Sequence, residues 1–264
     1  MMATVLITGA NRGIGLALVR AYLEAGEVCG AGGAGGANKV FAACRRPGEA
    51  AALRELAAGG ADGNAGPGGR AEGRGGVLEI IPLDVRDGES CRAAAAAVAG
   101  KAKGLDILIN NAGYGGVKDG ELEGLDLEAT LDLLNINTLG PARVTQAMLG
   151  LLKARAGAGG RPRVVNISSG LGSVSGCRSC ESLAYGTSKA ALNYMTRSMA
   201  WDLKRHGIIV AAVSPGWVRT DMGGPNAPLS AQESAEGIVK VAASLRPEDT
   251  GCWFNHDGSR NEQW

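Results

Sequence analysis

The sequence predicts an α/β fold: a single doubly wound parallel sheet, Rossmann-like, with helices on both faces. Three observations predict it. Apolar, β-branched runs alternate with helical stretches along the chain. The connections between runs are long enough for helical crossovers, which parallel neighbours require. The runs also lack strict apolar–polar alternation, as expected when helices cover both faces of a sheet.

The elements follow in order. Val5-Leu6-Ile7 opens the chain as a strand. Ile14, Ala17, Leu18 and Ala21 then recur at helical spacing over 14–23. Further strands are expected at 39–43, 77–81, 106–109, 163–167 and 208–213, and helices at 91–102, 127–153 and 182–205. Two Gly-rich segments, 30–36 and 59–76, interrupt the pattern and read as flexible insertions in connections. The expectation is one domain over residues 1–264, since a core of this size is ordinary for one α/β unit.

Composition narrows the function classes. Lys and Arg number 27 against 26 Asp and Glu, a net charge of +1. That balance gives no electrostatic footprint for nucleic acid and no polybasic membrane anchor. Gly is 43 of 264 residues, without the Gly-X-Y period of collagen. No apolar run reaches the ~18 residues of a membrane span. The first residues enter a strand pattern at once, so no signal or transit peptide is expected, and the expected location is cytoplasmic. Six cysteines are dispersed along the chain, a pattern of reduced thiols. The two histidines have no metal-ligand spacing, so no metal is expected.

The chemistry-bearing residues fall at strand ends. The first strand runs into Thr8-Gly9-Ala10-Asn11-Arg12-Gly13-Ile14-Gly15. A Gly-rich strand-to-helix turn admits a pyrophosphate to backbone N–H groups at the helix start. The second strand ends in Cys44-Arg45-Arg46, with no carboxylate for a ribose 2′-hydroxyl. A guanidinium suits a 2′-phosphate, so Arg45, with Arg12 as partner, favours NADP over NAD. The third strand leads into Asp84-Val85 and the fourth into Asn111-Ala112-Gly113. The fifth ends in Ser168-Ser169, and Tyr185 and Lys189 stand four apart on the next helix. At that spacing they share a face, where an ammonium would favour the phenolate. The sixth strand leads into Pro215-Gly216-Trp217-Val218-Arg219-Thr220.

Taken together, these motifs resemble the short-chain dehydrogenase/reductase family over nearly the whole chain. The loop from Pro215 to Leu229 and the closing Trp253-Phe254-Asn255-His256-Asp257-Gly258 resemble the C-factor and sniffer-type carbonyl reductase branch. The resemblance implies an NADPH-dependent reductase of aldehyde or ketone carbonyls. Tyr185 would be the general acid. Lys189 would lower its pKa and hold the nicotinamide ribose. Ser169 would polarise the carbonyl, with Ser168 as the adjacent alternative. Asn137 would kink the long helix and hold a water leading from Lys189. Gly9, Asn11, Arg12, Gly13, Ile14, Gly15 and Arg45 would meet the phosphates. Asp84 and Val85 would meet the adenine, and Asn111, Ala112 and Gly113 the adenosine ribose. Tyr185, Lys189, Pro215, Gly216, Val218 and Thr220 would complete the nicotinamide end.

The expected partners are a small-molecule carbonyl substrate and, by resemblance, a second or further copies in a homodimer or homotetramer. The alternative is an NADP(H)-sensing regulatory protein, which would need the cofactor residues but not Asn137, Ser169, Tyr185 and Lys189. Cys177-x2-Cys180 has thiol-switch spacing, but two loop thiols without further ligands are the plainer reading. Trp217 reads equally as a pocket wall or a loop anchor.

Overall fold

The computed structural model describes residues 3–25, 38–59, 76–115, 122–180, 182–262 and 264. Most of the two Gly-rich segments, all of 30–36 and residues 60–75 of the second, lies outside the described residues.

Seven strands form one sheet in the order β3-β2-β1-β4-β5-β6-β7. They are β1 (Thr4–Thr8), β2 (Lys39–Cys44), β3 (Val77–Pro82), β4 (Ile107–Asn110), β5 (Arg163–Ile167), β6 (Ile209–Ser214) and β7 (Trp253–Asn255). Every pairing is parallel. The helices are α1 (Gly13–Glu24), α2 (Ala51–Ala57), α3 (Gly88–Ala99), α4 (Leu127–Leu134), α5 (Gly140–Gly157), α6 (Leu183–Leu203) and α7 (Ala231–Ser244).

The expected alternation produces this sheet because each crossover helix buries an apolar stripe on one of its faces. Val5, Ile7, Val40, Ile107 and Ile109 pack on one side with α1 and α7. Leu6, Phe41, Leu108, Val164 and Val210 pack on the other with α3 and α5. Alternate residues of the same strands therefore feed two separate cores, which is why both parities had to be apolar.

Three elements differ from expectation. Strand β7 is only three residues long, too short for a period to show. Helix α7 follows a Ser230–Glu233 capping box, in which the Ser230 hydroxyl accepts from the Glu233 N–H. That Ser-x-x-Glu signal was readable in the sequence. The expected helix over 127–153 is broken at Asn135–Leu139, where five residues take a π-helical turn between α4 and α5. Strand order reverses between β1 and β4, so a crevice opens at their carboxyl ends.

Candidate active site

The glycine turn after β1 is built to be narrow. Gly9 and Gly13 have φ of +65° and +53°, in the left-handed region that glycine occupies without cost. A Cβ on Gly9 would stand 2.8 Å from the Ala112 Cα, and one on Gly15 would collide with the Gly9 carbonyl. The turn is clamped to the end of β4. The Thr8 hydroxyl accepts from the N–H groups of Asn111 and Ala112, both at 3.0 Å. The Asn111 amide donates to the carbonyls of Thr8 (2.9 Å) and Gly9 (3.2 Å). Asn111 and Ala112 thus shape the turn from below, while Gly113 is exposed.

Helices α3, α4 and α7 are capped by side chains of Asp87, Asp126 and Ser230. Helix α1, like α2, α5 and α6, has no side-chain cap. Its first N–H groups, facing a Gly-lined crevice, fit the pyrophosphate of a dinucleotide. Asn11, Arg12 and Arg45 are exposed along the same edge, and Ile14 is half-buried. Cys44 is buried, and burial pushes its thiol pKa up. Asp84 accepts from the Arg86 guanidinium at 2.7 Å, which holds its carboxyl below the usual range. Val85 is buried, with its carbonyl accepting from Arg143 at 3.3 Å.

Arg12 has a partner that the sequence did not suggest. Its guanidinium lies 2.7 Å from the Asp221 carboxylate, in the loop after β6. The pair joins the glycine turn to that loop. A Cβ on Gly13 would also meet the Thr220 methyl at 3.3 Å. The loop itself is pinned twice. The Ser234 hydroxyl of α7 donates to the Pro215 carbonyl at 2.7 Å, and the Arg219 N–H donates to the Leu229 carbonyl at 2.8 Å. Gly216 turns at φ +80°, against Leu229 and His256. Val218 is buried, and the Thr220 hydroxyl accepts from the Gly223 N–H at 3.2 Å. Trp217 serves as anchor and exposed wall at once. Its indole N–H donates to the Gly223 carbonyl at 2.8 Å while the residue stays exposed.

Across the crevice, β5 and α6 bring Ser169, Tyr185 and Lys189 together. Ser168 turns inward, and its hydroxyl donates to the Asn193 carboxamide at 2.5 Å. The Ser169 hydroxyl accepts from the Leu171 N–H at 3.2 Å and is close enough to the Tyr185 phenol to oppose the rise in its pKa. The geometry therefore separates the pair: Ser168 belongs to the packing and Ser169 to the crevice. Lys189 is buried, and its ammonium donates to the Ile167 carbonyl at 2.8 Å. It lies 5.6 Å from the Tyr185 ring centroid.

The expected depression of the Tyr185 pKa is not what this arrangement gives. Burial raises the phenol pKa, opposed by the Ser169 hydrogen bond. Burial also lowers Lys189, from 10.5 to about 8. Desolvation disfavours the charged form of each group.

Asn137 sits in the π turn, fully buried. Its carboxamide accepts from the Tyr114 N–H and donates to the Tyr114 carbonyl, both at 2.8 Å. It also donates to the Ser188 hydroxyl at 3.0 Å, beside Lys189. The π turn is the expected kink, and it fastens the loop after β4 to α6. Cys177 and Cys180 are exposed thiols. Among the described residues, no three His, Cys, Asp or Glu side chains cluster for a metal. None of the described helices is long and apolar enough to cross a membrane.

Known proteins are similar to this chain in sequence and fold. A family model described as short chain dehydrogenase matches residues 69–229. C-signal of Myxococcus xanthus is 41% identical over 157 residues, covering 59% of this chain and 90% of that protein. The solved carbonyl reductase Sniffer of D. melanogaster superposes with a TM-score of 0.85 at 33% identity, covering 98% of this chain and 99% of that one. The NADPH-bound carbonyl reductase from chicken fatty liver gives 0.84 at 34% identity, covering 100% and 99%. Sequence and fold therefore match together, and the chain belongs to the short-chain dehydrogenase/reductase family of oxidoreductases.

Proposed function

We propose that the chain reduces an aldehyde or ketone carbonyl with NADPH, with Tyr185 as the proton donor. The buried Lys189 ammonium, 5.6 Å from the Tyr185 ring with Ser169 near the phenol, carries this reading. Two hydroxyl groups meeting at a crevice wall can both face one carbonyl oxygen, one to polarise it and one to protonate it. With its pKa raised by burial, the phenol carries its proton near neutral pH, as a donor must, but is a weaker acid than a free phenol.

NADPH, when bound, supplies the hydride. The uncapped start of α1, with Gly9, Gly13, Ile14 and Gly15, would hold its pyrophosphate. Arg45 would meet the 2′-phosphate, and Asp84 and Val85 would border the adenine. Asn111, Ala112 and Gly113 would border the adenosine ribose. Pro215, Gly216, Val218 and Thr220 would flank the nicotinamide, with Lys189 and Tyr185 opposite. Asn137 would hold α6 at the right distance through Ser188. Relatives support the cofactor: the chicken enzyme is NADPH-bound, and a Pseudomonas aeruginosa carbonyl reductase at 29% identity was solved in complex with NADP.

The test is NADPH oxidation, followed by its absorbance, with a panel of aldehydes, ketones and quinones. Tyr185→Phe keeps the ring and removes the donor. General acid catalysis is typically worth 10²–10⁴-fold, so turnover should fall by at least about a hundredfold. NADPH affinity should be nearly unchanged. A Tyr185→Phe enzyme with most of its turnover intact sinks the assignment.

A further inference from the structure

The segment between Ser169 and Tyr185 borders the proposed carbonyl site by chain continuity, since each end is a member of it. Its middle, residues 174–180, is exposed at every position. Val174 within it is 73% exposed. Most of its hydrogen bonds are internal. The Gly176 N–H donates to the Ser173 hydroxyl at 2.9 Å, and Arg178 donates to the carbonyls of Ser175 and Cys177, each at 2.8 Å.

Among the described residues, the hydrogen bonds that tie 174–180 to chain outside 173–180 all end on Trp264. The Ser175 N–H donates to the Trp264 carbonyl at 3.2 Å, and the Ser175 hydroxyl donates to it at 3.3 Å. Trp264 is itself held by its ring. The ring centroid lies 5.7 Å from that of Trp253 in β7, in a tilted pair. The Arg197 guanidinium of α6 stands 5.4 Å from the same ring. Trp253 is buried in the edge of the sheet, so the chain of contacts starts on a fixed point.

We propose that Trp264 is a positioning residue for the carbonyl site. Its ring docks between β7 and α6, and its carbonyl moors Ser175, which fixes where Val174 and the rest of the segment stand beside Ser169. This rests on the reduction reading above only for its effect on substrate; the mooring itself is independent of it. A segment held by one external residue should loosen when that residue loses its dock, because little else opposes its conformational entropy.

The experiment pairs hydrogen–deuterium exchange with steady-state kinetics on the full chain. Aromatic pairs and cation–π contacts are each modest, so Trp264→Ala should release the mooring by about tenfold. Exchange of the Ser175 amide should quicken by that factor, with the exchange of β5 and α6 unchanged. KM for a carbonyl substrate should rise by a similar factor, with kcat within about twofold and NADPH affinity unchanged. Trp264→Phe, which keeps a ring in the dock, should restore both readings. Ser175→Ala, which removes the hydroxyl bond and leaves the ring contacts intact, should give a weaker version of the same exchange change if Trp264→Ala does not fold. Unchanged exchange at Ser175 overturns the proposal. So does a loss of kcat or NADPH affinity that matches the rise in KM, since that marks general support of the fold. A chain that reduces no carbonyl yet shows the exchange change keeps the mooring and overturns the reduction reading instead.

Discussion

One face of α6 carries two different kinds of buried polar chemistry. Tyr185, Lys189, Asn193 and Thr196 recur at helical spacing, and the last three bond β5 or the serine that follows it. In the lower half every group is neutral. The Thr196 hydroxyl accepts from Asn166 at 2.8 Å, and the Asn166 carboxamide accepts from Asn110 at 2.8 Å. Asn110 also donates to Thr145 at 3.1 Å, which closes a ladder from α6 across β5 and β4 to α5. In the upper half, Lys189 is a buried cation whose bonded partner is the neutral Ile167 carbonyl. The ladder leaves the buried Asn110 carboxamide oxygen without a partner, but a neutral acceptor is far cheaper to bury than a charge. A buried charge without a counter-ion is expensive, and its retention marks a site selected for chemistry over stability.

Lys189→Met is the sharpest way to break this comparison. The drop in the Lys189 pKa from 10.5 to about 8 is worth about 3 kcal/mol of destabilisation below pH 8. Losing the charged bond to the Ile167 carbonyl costs about 1.5–3 kcal/mol in return. The variant should therefore be at least as stable as the parent at pH 7, by up to about 2 kcal/mol in urea unfolding. Between about pH 8 and 10.5 the unfolded parent holds the proton while the folded parent has released it. Parental stability then rises with pH, so the advantage of the variant should shrink across that window. Turnover should fall at least about a hundredfold, and kcat/KM of the parent should decline above about pH 8 as Lys189 discharges. A variant less stable than the parent at pH 7 would show the ammonium to be compensated.

Asn166→Ala probes the other half. It removes the acceptor for Asn110 and the donor to Thr196, both buried. Unfolding free energy should fall by about 2–3 kcal/mol, with no pH dependence between 6 and 10. The residual folded enzyme should keep its KM for NADPH. A loss confined to activity would place the ladder in the site after all.

These two halves also differ in how readily they could be read from the sequence. The sheet was legible because both parities of each strand had to be apolar to feed two cores. The Gly-rich turn and the Tyr185–Lys189 spacing were legible because each demands particular residue types. The choice between Ser168 and Ser169 was not, since it depends on which hydroxyl Asn193 captures. The shift of Tyr185 was misjudged for a related reason: spacing on a helix gives proximity to Lys189 but says nothing of desolvation. The roles of Trp264 and Asp221 were hidden because their partners lie 89 and 209 positions away along the chain.

Asp221 gives the smallest effect and the most local test of cofactor choice. Arg12 was expected to join Arg45 on a 2′-phosphate, yet its guanidinium is taken by Asp221 in the loop after β6. Both side chains are about three-quarters exposed, at 72% and 76%. An exposed pair contributes little, so Asp221→Asn should change stability by less than about 0.5 kcal/mol. Its consequence lies in what it releases. An Arg12 freed of its carboxylate can turn to an anion of the cofactor, while one held by Asp221 acts as a brace between the glycine turn and the loop after β6. If Arg12 reaches the 2′-phosphate, Asp221→Asn should tighten NADPH severalfold and leave NADH unchanged. Arg45→Ala, by contrast, should weaken NADPH by about ten- to hundredfold, the loss of one charged hydrogen bond. The measurement is the Kd of NADPH and of NADH, by quenching of protein fluorescence, for the parent and both variants. An Asp221→Asn protein with an unchanged ratio would assign Arg12 to the brace alone and leave the 2′-phosphate to Arg45.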